Sequence, residues 1–443
     1  MATNRYATWT EHYASVLMSP EEAGALIQDG DRIALPIGSL TPNLADAIWS
    51  RRDKFGRGVD IVMTAPFLDP GWFEPGHPAI RVHVELFNTL IGRKSLVERR
   101  SDFITIPFSR RFKPEDERGE MSNHCDVALI GISTPDRFGF CSYGMSMWNK
   151  AAFVKRARTV IGEMFAGYPH TGGANRVHIT EFDAIVEGGE VPPLPGREKA
   201  PQFHPAIAAY VNEFVQHGDT LQIGTGAMTG QLVVAGGLEG KEDLGVHSEI
   251  SVPGLNNLVY QGAITGSRKT RHKGKFVATA LAASTPDEIE FIHENPIYEV
   301  YDVGYTNDIQ VIASNDNMLA INNALNVDLT GQIACESIGG DMWSGPGGQP
   351  EFAIGSLLAK NGRSITLLPS TGNGGALSRI VPQLEQGTVV TVPRQFADVV
   401  ITEHGVARLL GKSDRERAEE LISVAHPDHR AELRKQAKKL LGL

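Results

Sequence analysis

Short apolar runs rich in valine and isoleucine recur along the chain and alternate with stretches of helical periodicity. In the first half these runs predict strands near Arg32–Ile37, Asp60–Thr64, Arg81–Leu86, Phe103–Pro107, Asp126–Ile132 and Thr159–Glu163. In the second half they predict Thr220–Ile223, Gly245–Glu249, Phe276–Ala280, Gln310–Ala313, Gln332–Glu336, Ser364–Leu368, Val389–Val392 and Asp398–Thr402. Runs that are apolar at successive positions suit strands covered on both faces. Alternating β and α segments point to mostly parallel sheets. Two helix starts are marked by capping boxes: Ser19-Pro20-Glu21-Glu22, with proline at the first helical position, and Ser413-Asp414-Arg415-Glu416. The last thirty or so residues read as charged amphipathic helix.

A break in this rhythm falls at Val186–Gln202, where VEGGEVPPLPGREKAPQ gathers Pro192, Pro193, Pro195 and Pro201 among glycines and charges. Proline prevents regular pairing, so the segment reads as a linker between two α/β domains, residues 1–190 and 203–443, the alternative being one long surface loop inside a single domain. A faint repeat supports the division. Ser19-Pro20 opens a helix that ends in Gly30-Asp31 and is followed by RIALPIG; His204-Pro205 opens another that ends in Gly218-Asp219 and is followed by TLQIGTG.

Composition narrows the function. With 443 residues, 41% of them hydrophobic, the chain has ample material for two cores. The net charge of −10, without a basic block, opposes nucleic-acid binding, which needs lysine and arginine to replace phosphate counterions. No apolar run approaches the roughly 20 residues of a membrane helix, and the first residues lack a signal peptide's basic-then-apolar layout. Cys125, Cys141 and Cys335 are too few and too scattered for a disulfide frame or metal cluster, and no histidine pattern has zinc spacing. The expectation is a cytoplasmic α/β enzyme, without metal and without membrane or nucleic-acid partners.

The second half carries the candidate chemistry. Gly224-Thr225-Gly226-Ala227-Met228 follows a strand and precedes a helical run, the setting of an anion-cradling turn. Thr229 stands where a dinucleotide fingerprint would have its third glycine, so an NAD site is weakly indicated. Glu249 ends an apolar strand, where open α/β sheets place ligands. Such an acid serves as nucleophile, general base, ligand or merely a solvated carboxylate. His247 shares its strand face and either orients that acid or is a structural histidine. Gly345-Pro346-Gly347-Gly348-Gln349 offers exposed backbone N–H groups to an oxyanion or a phosphate. Its GGQ also resembles peptide-chain release factors, a reading the acidic charge opposes. Thr371-Gly372-Asn373-Gly374-Gly375 is a second glycine-rich turn. Tyr143, Met145 and Trp148 either line a cleft between domains or belong to a core.

Taken in order, GDTLQIGTGAM, LGVHSEI, ASNDNMLAINNALNVDLTGQI, SGPGGQPEF, LLPSTGNGGALSRIVP and VVITEHGVARLLGKSDRERAEELISVAHPDHRAEL give the chain its resemblance to the acetyl-CoA hydrolase/transferase family, which includes 4-hydroxybutyrate CoA-transferases. GDRIALPIGSLTP, VALIGISTPDRFGFCSYG and HITEFDAIVE extend the resemblance over the first half. It implies two related CoA-transferase-type α/β domains with the active site between them. It further implies Glu249 as covalent nucleophile, Gly224, Thr225, Gly226, Ala227 and Met228 as the CoA-binding turn, and Gly347 and Gly348 beside the thioester. The sequence departs from the family at Thr229, where many members have proline, at Ile250–Pro253, and at Asn373, where some have lysine.

The activity so implied is transfer of CoA from an acyl-CoA to a small carboxylate, of the butyrate, 4-hydroxybutyrate, succinate or itaconate class. The course is ping-pong through a glutamyl-CoA thioester. Hydrolysis of acyl-CoA by the same glutamate is the alternative. Coenzyme A is then a substrate, no cofactor is tightly bound, and a homodimer or higher homo-oligomer is expected.

Overall fold

The computed structural model describes residues 8–86, 89–121, 124–191 and 203–442. The proline-rich part of the expected linker, 192–202, lies outside the described residues. The chain forms two compact units: Met1–Gly196 with Thr285–Tyr305, and Arg197–Ser284 with Thr306–Leu443. The segment Thr285–Tyr305, which the sequence reading assigned to the second domain, therefore belongs with the first. The reason lies in its pairing and burial: Tyr298–Val300 runs parallel to Gly172–Gly173, and Ile292, Tyr298 and Val300 are fully buried.

The first unit is built on seven parallel strands: β1 (Arg32–Leu35), β2 (Val59–Met63), β3 (Ile80–Val84), β4 (Ser101–Phe103), β5 (Val127–Ser133), β6 (Thr159–Phe165) and β7 (Ala184–Gly189). Their spatial order is β7-β6-β5-β1-β2-β3-β4. Every residue of β5, VALIGIS, is buried, as a central strand covered on both faces requires. It pairs in register with β1 (Ile33 beside Val127) and with β6 (Leu129 beside Ile161). The helix Pro42–Ser50 follows β1 and buries Leu44, Ala45, Ala47 and Ile48. Tyr143 and Trp148 are enclosed in this unit's core, with Trp148 edge-on to Phe108 at 5.2 Å. For these two residues the core reading holds.

The second unit contains β8 (Thr220–Ile223), β9 (Gly245–Ile250), β10 (Phe276–Ala280), β11 (Met318–Asn323), β12 (Arg363–Leu367), β13 (Val399–Thr402) and β14 (Gly405–Arg408). Here the order is β14-β13-β12-β11-β8-β9-β10, all parallel except the terminal β13–β14 hairpin. In both units the first strand lies at the point where the strand order reverses. There β1 sits between β5 and β2, and β8 sits between β11 and β9. The two members of the faint repeat, RIALPIG and TLQIGTG, thus occupy matching places. Ligands of open α/β sheets bind at the carboxyl ends of strands beside such a reversal.

Some elements differ from the pattern reading. Gln310–Ala313 is not a strand but part of the helix Ile309–Ala313, because the Asp308 side chain accepts the N–H groups of Gln310 and Val311 and caps it. Gln332–Glu336 contributes only Ile333–Ala334 to a small side sheet, where Val392 bridges to Ile333. The central strand β11 was not anticipated. Its polar end, Asn322-Asn323, interrupts the apolar run. Both capping boxes are present, and the C-terminus forms the helices Asp414–Val424 and Pro427–Leu441. Among the described residues no helix is long and apolar enough to cross a membrane.

Candidate active site

The second unit brings the predicted residues to one edge of its sheet. Glu249 stands at the carboxyl end of β9, and Gly224–Met228 follows the carboxyl end of the neighbouring β8. The turn is shaped by side chains from β11. A Cβ on Gly224 would lie 2.7 Å from Asn322 Oδ1, and one on Gly226 only 2.0 Å from Asn323 Nδ2, so a side chain at either position would displace these amides. Gln222 and Asn322, both buried, exchange paired amide hydrogen bonds of 3.0 and 2.9 Å beneath the turn. Thr229 closes it. Its N–H donates to Asn323 Oδ1 at 3.0 Å, and its hydroxyl accepts from Asn323 Nδ2 at 2.7 Å while donating to the Gly224 carbonyl. Ala227 is exposed, Thr225 is half-buried, and the Met228 side chain is turned into the core. Met228 therefore meets a ligand only through its backbone.

Glu249 is 9% exposed. Its Oε2 accepts from Asn307 Nδ2 at 2.6 Å, and the backbone N–H of Gly348 also stabilises its anion. A Cβ on Gly348 would sit 2.3 Å from that same Oε2, so any larger residue would push the carboxylate aside. Gly347 precedes it with φ of +57°, a left-handed turn that suits glycine. Gly348 is the N-cap of the helix Gln349–Leu358, whose positive end favours an anion here. Burial nevertheless wins. It pushes the Glu249 carboxyl up to about 7, and the nearby Glu351 carboxylate adds to the rise, against the opposing bonds from Asn307 and Gly348. A carboxylate held in this way is desolvated and basic for its type, as a nucleophile needs to be.

Three residues that hold this arrangement escaped the sequence reading. Asn307 Nδ2 also donates to Glu351 Oε2, at 3.0 Å, so one amide bridges two buried carboxylates. The Thr306 hydroxyl donates to Asn307 Oδ1 at 3.2 Å and turns the amide so that its NH₂ faces them. Glu351 reaches the pair because two helices approach closely. Gly355 lies where a Cβ would meet Ile312 Cγ2 at 2.6 Å, and Phe352, Ile312, Met318, Ala320 and Ala359 form the apolar cluster beneath. Burying a side chain such as Phe352 contributes about 2–3 kcal/mol to holding that helix in place. His247 acts one step away from the acid. Its Nε2–H donates to the Thr306 carbonyl at 2.9 Å and fixes the backbone just before Asn307. Burial depresses its basicity to about 3, so the ring is neutral.

The second glycine-rich turn, Thr371–Gly375, follows β12 on the same edge and is largely exposed. Ser370 before it is anchored to Glu403 through its N–H (2.9 Å) and its hydroxyl (2.5 Å). Among the described residues no group of three histidine, cysteine or acidic side chains is placed to hold a metal ion.

Comparison with known proteins decides the family. The model of the acetyl-CoA hydrolase/transferase C-terminal domain matches residues 286–437. A 4-hydroxybutyrate coenzyme A transferase of Clostridium kluyveri is 35% identical, with 97% of this chain and 99% of the relative covered. The chain belongs to the acetyl-CoA hydrolase/transferase family. A succinyl-CoA:cyclohexane-1-carboxylate CoA transferase of Geobacter metallireducens is likewise 35% identical, covering 99% of this chain and 98% of that protein. The crystal structure of RipA from Yersinia pestis superposes with a TM-score of 0.88 at 30% identity, over 98% of this chain and all of that one. This family member is an enzyme of the CoA-transferase kind, and its fold is the α/β architecture of those neighbours.

Proposed function

We propose that this enzyme moves coenzyme A from an acyl-CoA to a small carboxylate of the butyrate, 4-hydroxybutyrate, succinate or itaconate class, through a covalent intermediate on Glu249. The observation that carries the reading is the buried Glu249 carboxylate, held by Asn307 and Gly348 at the end of β9, with the Gly347-Gly348 amides beside it.

In the first step a Glu249 oxygen attacks the thioester carbonyl carbon. The carbon–sulfur bond breaks with its electron pair leaving on sulfur, giving an acyl-glutamyl anhydride and CoA thiolate. The thiolate then attacks the Glu249 carbonyl carbon and expels the acyl group as a free carboxylate. Glu249 is left as an uncharged thioester to CoA. A second carboxylate runs the same steps in reverse, so kinetics are ping-pong. Each tetrahedral oxyanion needs preorganised donors, and the backbone N–H groups of Gly347 and Gly348 are assigned that role; one such donor is worth roughly 3 kcal/mol. The Gly224–Met228 turn is assigned to CoA. Binding energy from CoA's distant parts is then available to position the thioester.

Incubation with acetyl-, butyryl- and succinyl-CoA and a panel of carboxylates, with CoA species resolved by mass spectrometry, tests the proposal. New acyl-CoA species that appear only with particular acids, together with a CoA adduct on the peptide carrying Glu249, are expected. Free CoA accumulating equally with and without an acceptor would make the enzyme a hydrolase using the same glutamate.

A further inference from the structure

The two buried carboxylates bridged by Asn307 make unequal demands on the reaction. Glu249 gives up its charge to the CoA thiolate when it becomes an anhydride, and stays uncharged as the thioester while that charge departs on the released carboxylate. Glu351 forms no bond to substrate in this sequence and is only 5% exposed. Two largely buried carboxylates sharing one amide NH₂ group repel each other. That repulsion is present in the free enzyme and absent once Glu249 is acylated.

We propose that Glu351 is a positioning residue whose charge, set against Glu249 across Asn307, drives the nucleophile toward its uncharged covalent intermediate. The inference rests on Glu249 being the nucleophile. The geometry supports it at both ends. Asn307 is oriented by the Thr306 hydroxyl, and Thr306 by His247, so the NH₂ group is fixed between the acids. Glu351 lies in the first turn of the helix that Gly348 caps, so the segment supplying the oxyanion donors also supplies the repelling charge. The charged and titratable groups known to act on the pair come from several elements. Glu351 comes from the helix Gln349–Leu358, Asn307 from the segment before the helix Ile309–Ala313, and neutral His247 from β9 itself. Beyond His247, and acting on it, stand Lys269, Arg271 and His272 from the segment before β10.

The sign of the effect is definite. Glu249 attacks as the carboxylate, so kcat/KM for acyl-CoA falls on the acid side below about pH 7 in the wild type. Removing the Glu351 charge makes the Glu249 carboxylate easier to form and less reactive. In Glu351→Gln the acid limb moves down by about one pH unit, and the equilibrium fraction of enzyme carrying CoA on Glu249 falls by roughly tenfold. Glu351→Asp withdraws the charge by one methylene and gives values between the two.

The test is the pH profile of kcat/KM, with intact-mass measurement of the CoA adduct, for wild type, Glu351→Asp and Glu351→Gln. Limbs and adduct levels ordered wild type, Asp, Gln are expected. Loss of activity without movement of the limb would show a merely structural role and overturn the proposal. Should the glutamine variant not fold, the aspartate variant decides, because an undisplaced limb there also overturns it. If the wild type forms no adduct on Glu249, the nucleophile assignment itself fails, and that outcome is distinct from an adduct that Glu351 does not influence.

Discussion

Each unit carries a buried glutamate in the carboxyl-terminal half of a parallel strand, and the two acids are held differently. Glu163, in β6 of the first unit, spends both oxygens on the chain itself: Oε1 accepts from the Asn43 N–H at 3.3 Å and Oε2 from the Leu44 N–H at 3.1 Å. The start of the helix Pro42–Ser50 is thereby closed by an internal anion. Nearby, Lys150 donates to the carbonyls of Gly38 and Tyr143, and Tyr168 also donates to Gly38. In the second unit the corresponding turn after β8 is held by neutral amides and one hydroxyl. The Asn307 bond on Glu249 falls on Oε2, leaving Oε1 without a side-chain donor among the described residues. Burial raises both acids to about 7. An elevated carboxylate pKa therefore does not by itself mark a nucleophile. The distinguishing feature is whether the oxygens are already committed to the fold.

The sharpest way to test that contrast is to make the same substitution at both sites. Glu249→Gln should remove transfer by roughly 10⁶-fold, the scale seen when a covalent nucleophile is lost, while the thermal midpoint stays near that of the wild type. An active Glu249→Gln enzyme would end the comparison at once. Gly348→Ala is expected to rank next. The new Cβ would lie 2.3 Å from both Glu249 Oε2 and Asn307 Nδ2, so the carboxylate must move. Displacement of that order costs on the order of 10²-fold in kcat. Full activity in this variant would mean that the glycine loop is not fixed against Glu249 as described.

Glu163→Gln should do the reverse of Glu249→Gln. It leaves chemistry within a few-fold and costs about 1 kcal/mol of stability through the lost helix cap. The pH dependence gives the sign. A carboxyl raised in the folded state contributes stability that is complete below its unfolded value, near 4.5, and is lost as pH rises through about 7. Glutamine does not titrate, so the stability gap between wild type and variant should narrow from pH 5 to pH 8. Thermal unfolding at the two values measures it; a gap that widens would show that the helix amides outweigh burial at Glu163.

How much of this was legible in sequence follows from the range of the interactions. Strands such as β5 and β9 are visible because burial on both faces leaves an unbroken apolar run, and the Ser19 and Ser413 caps are visible because they act across three residues. The Asp308 cap is equally local, yet the β-branched content of Ile309–Ala313 masks it. The position of Glu249 is legible toward a strand end, and the role proposed for it comes from the ordered motifs around it. Its partners are not: Asn307 is 58 residues away along the chain, and Glu351 a further 44. Only the parallel sheet and the close helix contact at Gly355 bring them together. The separation of Thr285–Tyr305 from the rest of the second half is hidden for the same reason, since its pairing partner lies at Gly172–Gly173.

The smallest effect is expected at Thr229, and it sharpens the account of the turn. The family pattern often places proline here, which has no N–H to give Asn323 and no hydroxyl to return its bond. In this chain Thr229 supplies both, so Asn323 is satisfied by the turn itself. Thr229→Ala keeps the N–H and deletes the hydroxyl, loosening the turn by the two hydrogen bonds the hydroxyl makes, from Asn323 Nδ2 and to the Gly224 carbonyl, each worth about 1 kcal/mol. If the turn holds CoA, KM for acyl-CoA should rise several-fold with kcat nearly unchanged, because binding is weakened without disturbing Glu249. A fall in kcat at constant KM would instead tie the turn to the reacting carboxylate. The line between a turn that binds and an acid that reacts would then have to be redrawn.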